Sequence, residues 1–532
     1  MLLAPTILGR PFLAAFLAVL PLWSADAIIL DCAHESRVFR ETRHFRIFLP
    51  PDYESSTLRY PVVYWFHGFG ERYNQGPANK EYDRGNDYNG DNIANFVASH
   101  DVIVVKPDGY NPRTLNDDYP RPYNIGPVET DRQFPLYFPE LVALIDAHYR
   151  TIPDREHRAT SGLSMGGFMS YWIAGKYPDL VSSASNFMGS CEFLVGPRDF
   201  PAEYRHEEMR ENYAGVRTRL VTGTRDFIQF YHRQLNQFWT MPTHESEEFD
   251  FDHGTPGIAK TLAFHMDAFA APLPRPEVWS HADVYPGFSV WDWTVESDRK
   301  QPGFTSIDSV SRTGFHSTVR EWLPGGRVLR DVHLKVTTAR LYRKNSRVPV
   351  TTIRLRDNFI QREHLFADVE GRLHLDLDGD EYQVRIGRGL VPRSIDTPPL
   401  PTAPVSTDFQ ISDHRTLQIF QHAIEPKTLT LGQGNGDGKA NPGEQIAILF
   451  PDGDAYRAAE LFSDDPCADL TTRISDNWSD YDSVGASAKY TLAKISPTCP
   501  SGHIIKMQAR ALLPNKPNHK IREATIELQV TR

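Results

Sequence analysis

Cysteine is scarce in this chain: four residues in 532, with no C-x-x-C spacing. That excludes a disulfide-dense scaffold and gives no sign of a zinc-binding ribbon. Positive charge is not in excess either. The net charge of −11 argues against nucleic-acid or anionic-membrane partners. Beyond the N-terminus no segment has enough consecutive apolar residues to cross a bilayer, so no integral membrane segment is expected in the mature chain. There is no short sequence repeat.

What is present is the composition of a soluble globular protein, 40% hydrophobic and 23% charged, with 40 prolines and 35 glycines marking many turns. The length suggests about three to four domains. Residues 1–27 read as a signal peptide, with Arg10, an apolar core from Phe12 to Leu20 too short to span a membrane, and cleavage after Ala27 in Ala25-Asp26-Ala27. A short membrane anchor is the alternative. A lipoprotein at Cys32 is disfavoured because Asp31 stands where a small residue is required. Secretion, extracellular or periplasmic, is therefore expected, and it permits disulfides. Cys467 and Cys499 are the favoured pair, with Cys32 and Cys191 paired or free.

From about residue 43 to 275, strand and helix patterns alternate. Phe45, Ile47 and Leu49 alternate as in a half-buried strand. The continuous apolar runs Tyr60–Phe66 and Val102–Val105 suit strands covered on both faces of a parallel sheet. Tyr137–Tyr149 and Phe168–Tyr177 read as helices, so residues 28–275 are expected to form an α/β domain. After about residue 276 only short alternating strands remain, such as Val332, Leu334, Val336 and Tyr382, Val384, Ile386. They imply a β-sandwich module over 276–391. A proline-rich linker follows over 392–408, then a second β-rich module over 409–532.

Within the first domain, Gly162-Leu163-Ser164-Met165-Gly166 spells G-x-S-x-G. With Gly and Ser each near roughly 7% of residues, that spelling arises by chance about once in six chains of this length. Context decides its meaning. A serine hydroxyl becomes a nucleophile only when a histidine takes its proton, a carboxylate orients that histidine, and N–H groups receive the oxyanion. Ser164 follows a strand-like segment, His157–Ser161, and precedes a helix, which is the strand–turn–helix context of a nucleophile elbow. Asp226 ends the later strand-like run "RLVTGTRDF" and is the favoured acid, with Glu247, Asp250 and Asp252 as rivals. His253 lies between a strand-like run and a helix and is the favoured base, ahead of His265 and His244. "WFHGFGE" has the form of an oxyanion loop. The N–H groups of Phe69 and Met165 are the expected donors, with Gly68 as rival to Phe69 and His67 as a structural residue.

Taken in order, "HGFG", "GLSMGGF", "TGTRDF" and "FDHGTPG" resemble the putative-esterase branch of the α/β-hydrolases over roughly residues 40–275. That branch holds feruloyl and acetyl-xylan esterases, S-formylglutathione hydrolases, enterochelin esterases and mycolyltransferases. The resemblance implies an acyl-enzyme on Ser164 and a small-molecule or polysaccharide-linked ester substrate, with no cofactor for catalysis. Acyl transfer to an alcohol would use the same groups, and a binding protein on an inactive hydrolase scaffold is the reading from another class. Where many members carry an aromatic soon after the histidine, Gly254-Thr255-Pro256 follows here. That departure bears on the leaving-group side of the pocket.

In the second β-module, "GQGNGDGKANPGE" (432–444) places Gln433, Asn435, Asp437 and Glu444 at the ligand spacing of an EF-hand loop. Its flanks read as strands, and the stretch is similar to a turn common in bacterial immunoglobulin-like modules. A tight β-turn is favoured over a structural calcium near Asp437 and Glu444. Trp291, Trp293 and Trp322 could form a sugar-stacking face, but they lie in strand-like runs and core packing is favoured.

Overall fold

The computed structural model describes residues 26–75, 87–109, 133–195, 202–321, 323, 327–389, 410–412, 415–421, 425–431, 434–435, 437, 439–450, 458–470, 489–512 and 522–531. Residues 1–25 of the expected signal peptide, the expected proline-rich linker, Trp322 and Gln433 lie outside the described residues.

The first part of the chain builds one eight-stranded sheet. Its strands are β1 (Ile28–Ser36), β2 (Glu41–Leu49), β3 (Val62–Phe66), β4 (Ile103–Pro107), β5 (Arg158–Gly162), β6 (Ser183–Phe187), β9 (Arg217–Gly223) and β10 (His244–Phe249), in the order β1-β2-β4-β3-β5-β6-β9-β10. Between β6 and β9, β7 (Glu192–Val195) and β8 (Ala202–Arg205) pair as a separate ribbon. The pairs from β4 through β10 are parallel, while β1 and β2 extend one edge antiparallel. All the parallel strands therefore end on the same side, the place where α/β sheets carry their ligands.

Helices cover both faces. Val62, Tyr64 and Phe66 of β3 pack with α2 (Phe134–His148) and α3 (Met165–Lys176). Val63 and Trp65 point the other way, toward α1 (Ile93–Val97) and α4 (Ile258–Ala270). The continuous apolar runs read from the sequence are thus strands buried on both faces. The half-buried strand expected at 45–49 is a correction: Phe45, Arg46, Ile47, Phe48 and Leu49 are all buried. Phe48 packs against the α1 side, and Arg46 is neutralised by a two-pronged contact to Asp31 on β1. The charged residue that made the strand look half-solvated is satisfied inside the fold.

After Ala270 every regular element among the described residues is a strand. β11 (Trp279–Asp283), β14 (Phe304–Ser311), β15 (Gly314–Arg320), β20 (Tyr382–Ile386), β17 (Arg347–Arg354) and β18 (Phe359–Phe366) form one antiparallel sheet in that order. A second sheet joins β12 (Phe288–Val290), β13 (Trp293–Ser297), β16 (His333–Thr337) and β19 (His374–Asp378). Alternate residues of both sheets share one apolar core that includes Trp293, Phe315, Val336, Leu375 and Val384. Trp291 and Trp293 are both buried, so neither offers a sugar-stacking face.

Residues on either side of position 275 are packed together. Val284, Tyr285 and Phe304 belong to the same apolar cluster as Trp172 and Tyr204 of the α/β unit. Asn212 accepts from Ala282 N at 2.9 Å and donates back to Ala282 O at 2.8 Å. Tyr285 OH donates to Gln133 at 2.6 Å, and Trp291 N donates to Asp179 at 2.9 Å. Lys176, at the end of α3, forms a buried ion pair with Asp283 of β11 at 2.5 Å.

The C-terminal part is again antiparallel, for example Gln445–Phe450 with Lys489–Ile495 and Ile504–Leu512 with Arg522–Gln529. Cys467 and Cys499 are disulfide-bonded, with Cα atoms 5.3 Å apart, while Cys32 and Cys191 remain thiols. In the 432–444 turn the Glu444 carboxylate accepts from Asn435 N at 2.8 Å and Asn441 N at 3.0 Å. Asp437 accepts from Lys439 N at 2.9 Å. Among the described residues no helix is long and apolar enough to cross a membrane.

Candidate active site

The edge formed by the parallel strand ends gathers the predicted site residues. β5 ends at Gly162, Ser164 follows after one residue, and α3 starts at Met165. Ser164 has φ 55° and ψ −117°, a backbone conformation that costs a non-glycine residue about 1–3 kcal/mol. Close packing holds it there. Ser164 N donates to Phe187 O at 2.8 Å, and Phe168 N donates to Ser164 O at 3.0 Å. Glycine is required beside it: a Cβ on Gly166 would stand 2.2 Å from Phe66 O, and one on Gly162 2.4 Å from Gly166 O. This is the strained strand-to-helix turn that the sequence context implied.

Asp226 lies in the turn after β9 and is buried. Its Oδ1 accepts from Ile228 N at 3.1 Å and from His253 Nδ1 at 3.0 Å. A carboxylate only accepts, so the proton is on Nδ1 and the lone pair of His253 is on Nε2, where a base needs it. Two backbone bonds zip the acid loop to the histidine loop: Thr224 N to Phe249 O at 2.9 Å and Arg225 N to Phe251 O at 3.1 Å. Met188 joins these loops to the elbow. It follows Phe187, donates its N–H to Val221 O at 2.8 Å, and receives Gly254 N–H on its sulfur at 3.2 Å. Ser164, Asp226 and His253 are thus brought to one edge, although among the described residues no hydrogen bond joins Ser164 Oγ to His253. Such contacts often tighten only with substrate.

The rival residues are engaged elsewhere. Asp250 and Asp252 pair with Arg225, and Glu247 with Arg219 and Lys260. His265 is buried between Ser183 and Ser185, and burial pushes its pKa down to about 3. His244 bonds Thr218 and Asn236, and burial lowers its pKa to about 4.

The loop expected to supply the oxyanion donors follows β3. Gly68 N–H donates to the buried Glu71 carboxylate at 2.8 Å, which removes it as a donor. The N–H groups of Phe69 and Met165 have no partner among the described residues. The loop lies against the elbow, since Phe66 O and His67 O are the backbone atoms a Gly166 side chain would strike. His67 is structural. Its Nε2 accepts from Gly109 N at 2.9 Å, which fixes the proton on Nδ1 for donation to Gly68 O at 2.9 Å.

Sequence reasoning missed several supports. Asp108, at the end of β4, anchors Arg72 by hydrogen bonds of 2.9 and 3.0 Å. Burial pushes its carboxyl up, but the charged Arg72 bound to it holds it below the ordinary carboxylate range. Its place just after an apolar run, "VIVVKPD", was the available signal. His232 donates from Nε2 to Gly189 O at 3.0 Å and lies 3.8 Å from Asp226 Oδ2. Burial lowers its pKa to about 4 and keeps it neutral. Phe227 packs its ring on His253. No periodicity marked either residue.

Comparison with known proteins finds a family likeness over the residues that carry this site. The "Putative esterase" family model matches residues 36–254. An esterase of Mycobacterium tuberculosis is 32% identical over 154 residues, which is 29% of this chain and 30% of the relative. The chain thus matches about 30% of the length of that relative. Among solved structures, a ferulic acid esterase aligns at 17% identity and TM-score 0.35, covering 46% of this chain and 98% of that one. An S-formylglutathione hydrolase from Agrobacterium tumefaciens aligns at 18% identity and TM-score 0.35, covering 47% and 96%. The family match lies on the sheet and loops that carry the Ser164 elbow, so residues 36–254 are similar to the putative esterases.

Proposed function

We propose that the chain is a secreted serine esterase that hydrolyses carboxylic esters through an acyl-enzyme on Ser164. One observation carries this reading: His253 is locked by Asp226 in the tautomer that leaves Nε2 basic, at the strand edge that also holds the strained Ser164 elbow. His253 Nε2 takes the hydroxyl proton as Ser164 Oγ attacks the ester carbonyl. The negative charge that develops on the carbonyl oxygen is received by the N–H groups of Phe69 and Met165. The tetrahedral adduct collapses, the C–O bond to the alcohol breaks, and the imidazolium returns its proton to the leaving oxygen. Water then repeats the sequence and releases the acid.

A carbohydrate-linked feruloyl or acetyl ester is the substrate class this reading favours. Export agrees with the Cys467–Cys499 disulfide, which persists in an oxidising compartment. Residues 276–391 are read as a β-sandwich module of immunoglobulin-like type, and 409–532 as a second. The turn at 432–444 is read as held without metal, because both Glu444 oxygens already accept backbone N–H groups.

The experiment is a p-nitrophenyl acetate assay on the wild type and Ser164→Ala. Loss of at least about 10³-fold in kcat is expected. Full activity in the variant, or none in the wild type, refutes the reading.

A further inference from the structure

We propose that Phe227 is a specificity-determining residue that forms the wall for the leaving alcohol and favours an alcohol with a flat, C–H-lined face, such as a pyranose ring. This rests on the Ser164 esterase reading. Phe227 immediately follows the acid Asp226 and is 45% exposed. Its ring centroid lies 4.7 Å from the His253 imidazole, tilted by 49°. The ring is therefore both in contact with the base and open to solvent at the site edge.

Chemistry assigns a substrate part to that position. His253 Nδ1 is occupied by Asp226 at 3.0 Å, so the leaving oxygen must be protonated from Nε2. When the acyl C–O bond breaks, the electron pair goes to the alcohol oxygen and the proton on Nε2 follows it. The alcohol must therefore lie within hydrogen-bond reach of the imidazole edge. Whatever extends beyond its oxygen meets the surface around His253. The residues after the histidine, Gly254-Thr255-Pro256, bring no aromatic there. Gly254 and Thr255 are buried, with Gly254 N tied to the Met188 sulfur. The aromatic surface comes instead from the acid loop. That loop is held in register with the histidine loop by the Thr224–Phe249 and Arg225–Phe251 backbone bonds and by the Arg225–Asp252 contact at 2.8 Å. A ring so held is a preorganised stacking platform, the kind of surface on which a flat apolar face gains binding without ordering a loop.

The test uses two esters with one acyl group, methyl acetate and a mono-O-acetylated methyl glucoside, so that both form the same acetyl-enzyme and share deacylation. The readout is the ratio of their kcat/KM values in wild type, Phe227→Ala, Phe227→Leu and Phe227→Tyr. The glucoside preference should fall about tenfold in Phe227→Ala, fall less in Phe227→Leu, and be retained in Phe227→Tyr. Equal losses on both esters, leaving the ratio unchanged, would mean that the ring only steadies His253 and would overturn the proposal. Phe227→Leu keeps an apolar side chain, so the ratio remains measurable if Phe227→Ala does not fold. Failure of the underlying reading is seen separately, as methyl acetate hydrolysis that survives Ser164→Ala.

Discussion

The Lys176–Asp283 pair ties the α/β unit to the first β-module, and removing one partner should loosen both. Nζ and Oδ2 are 2.5 Å apart, with side chains only 4% and 2% exposed. Burial pushes the Asp283 carboxyl up, yet Lys176 and then His281 pull it below the ordinary carboxylate range. Asp283 also accepts from Tyr285 N at 2.9 Å, and the Tyr285 ring lies 4.5 Å from Nζ. Asp283→Ala would leave a buried ammonium without its carboxylate partner, which costs about 3–5 kcal/mol. Unfolding entropy is about 2.1 cal/mol/K per residue. If residues 28–389 melt as one unit, the loss is about 5 °C in Tm. Lys176→Met with Asp283→Leu removes both charges and should recover most of it, because apolar replacement of a buried pair is often neutral or stabilising. Scanning calorimetry on the full chain checks this. Single variants that melt like wild type, a double variant worse than either single, or independent melting of the two units in the wild type would refute the argument.

Other consequences can be checked with the same material. Asp226→Asn keeps the side-chain shape but removes the acceptor charge that holds the His253 tautomer; kcat on p-nitrophenyl acetate should fall about 10⁴-fold with Tm nearly unchanged. A fall below tenfold would return the acid role to another carboxylate. Acid should destabilise the α/β unit well above the carboxylate range. Burial lowers His206 and His265 to about 3 and His232 to about 4, against 6.5 for an ordinary histidine. The unfolded chain therefore binds more protons than the folded one. The stability from these groups is fully present above pH 6.5 and is lost as pH falls toward about 4 and then 3. Each contributes a slope of about 1.4 kcal/mol per pH unit in that window. Tm measured from pH 7 to 5 should drop steadily, and a flat profile would contradict the assigned neutrality.

What could be read from the sequence was set by how local the cause was. The strand at 158–162, the turn at Ser164 and the helix after it follow from adjacent residues. Gly162 and Gly166 are needed because the backbone of β3 passes within contact of both. Asp226 and His253 were legible because each follows a strand-like run, and strand ends of one parallel sheet must share an edge. The rivalry between Phe69 and Gly68 as expected oxyanion donors bears instead on a contact no pattern announces: Glu71 takes the Gly68 amide. The alternation at 45–49 misled for a similar reason, since Arg46 is neutralised by Asp31 on the next strand. Union of the α/β unit with the module after 275 was the least legible feature. It rests on residues 70 or more positions apart, Asn212 with Ala282 at 70 and Lys176 with Asp283 at 107. The composition change near 276 marks where helices stop, yet the core continues through Val284, Tyr285 and Phe304. A cut after residue 275 would therefore expose the faces of Trp172 and Tyr204 and strand Lys176 without Asp283. The strands that follow residue 275 are packed into the α/β unit, because the helix that follows Ser164 ends at Lys176, in the ion pair with Asp283 of β11.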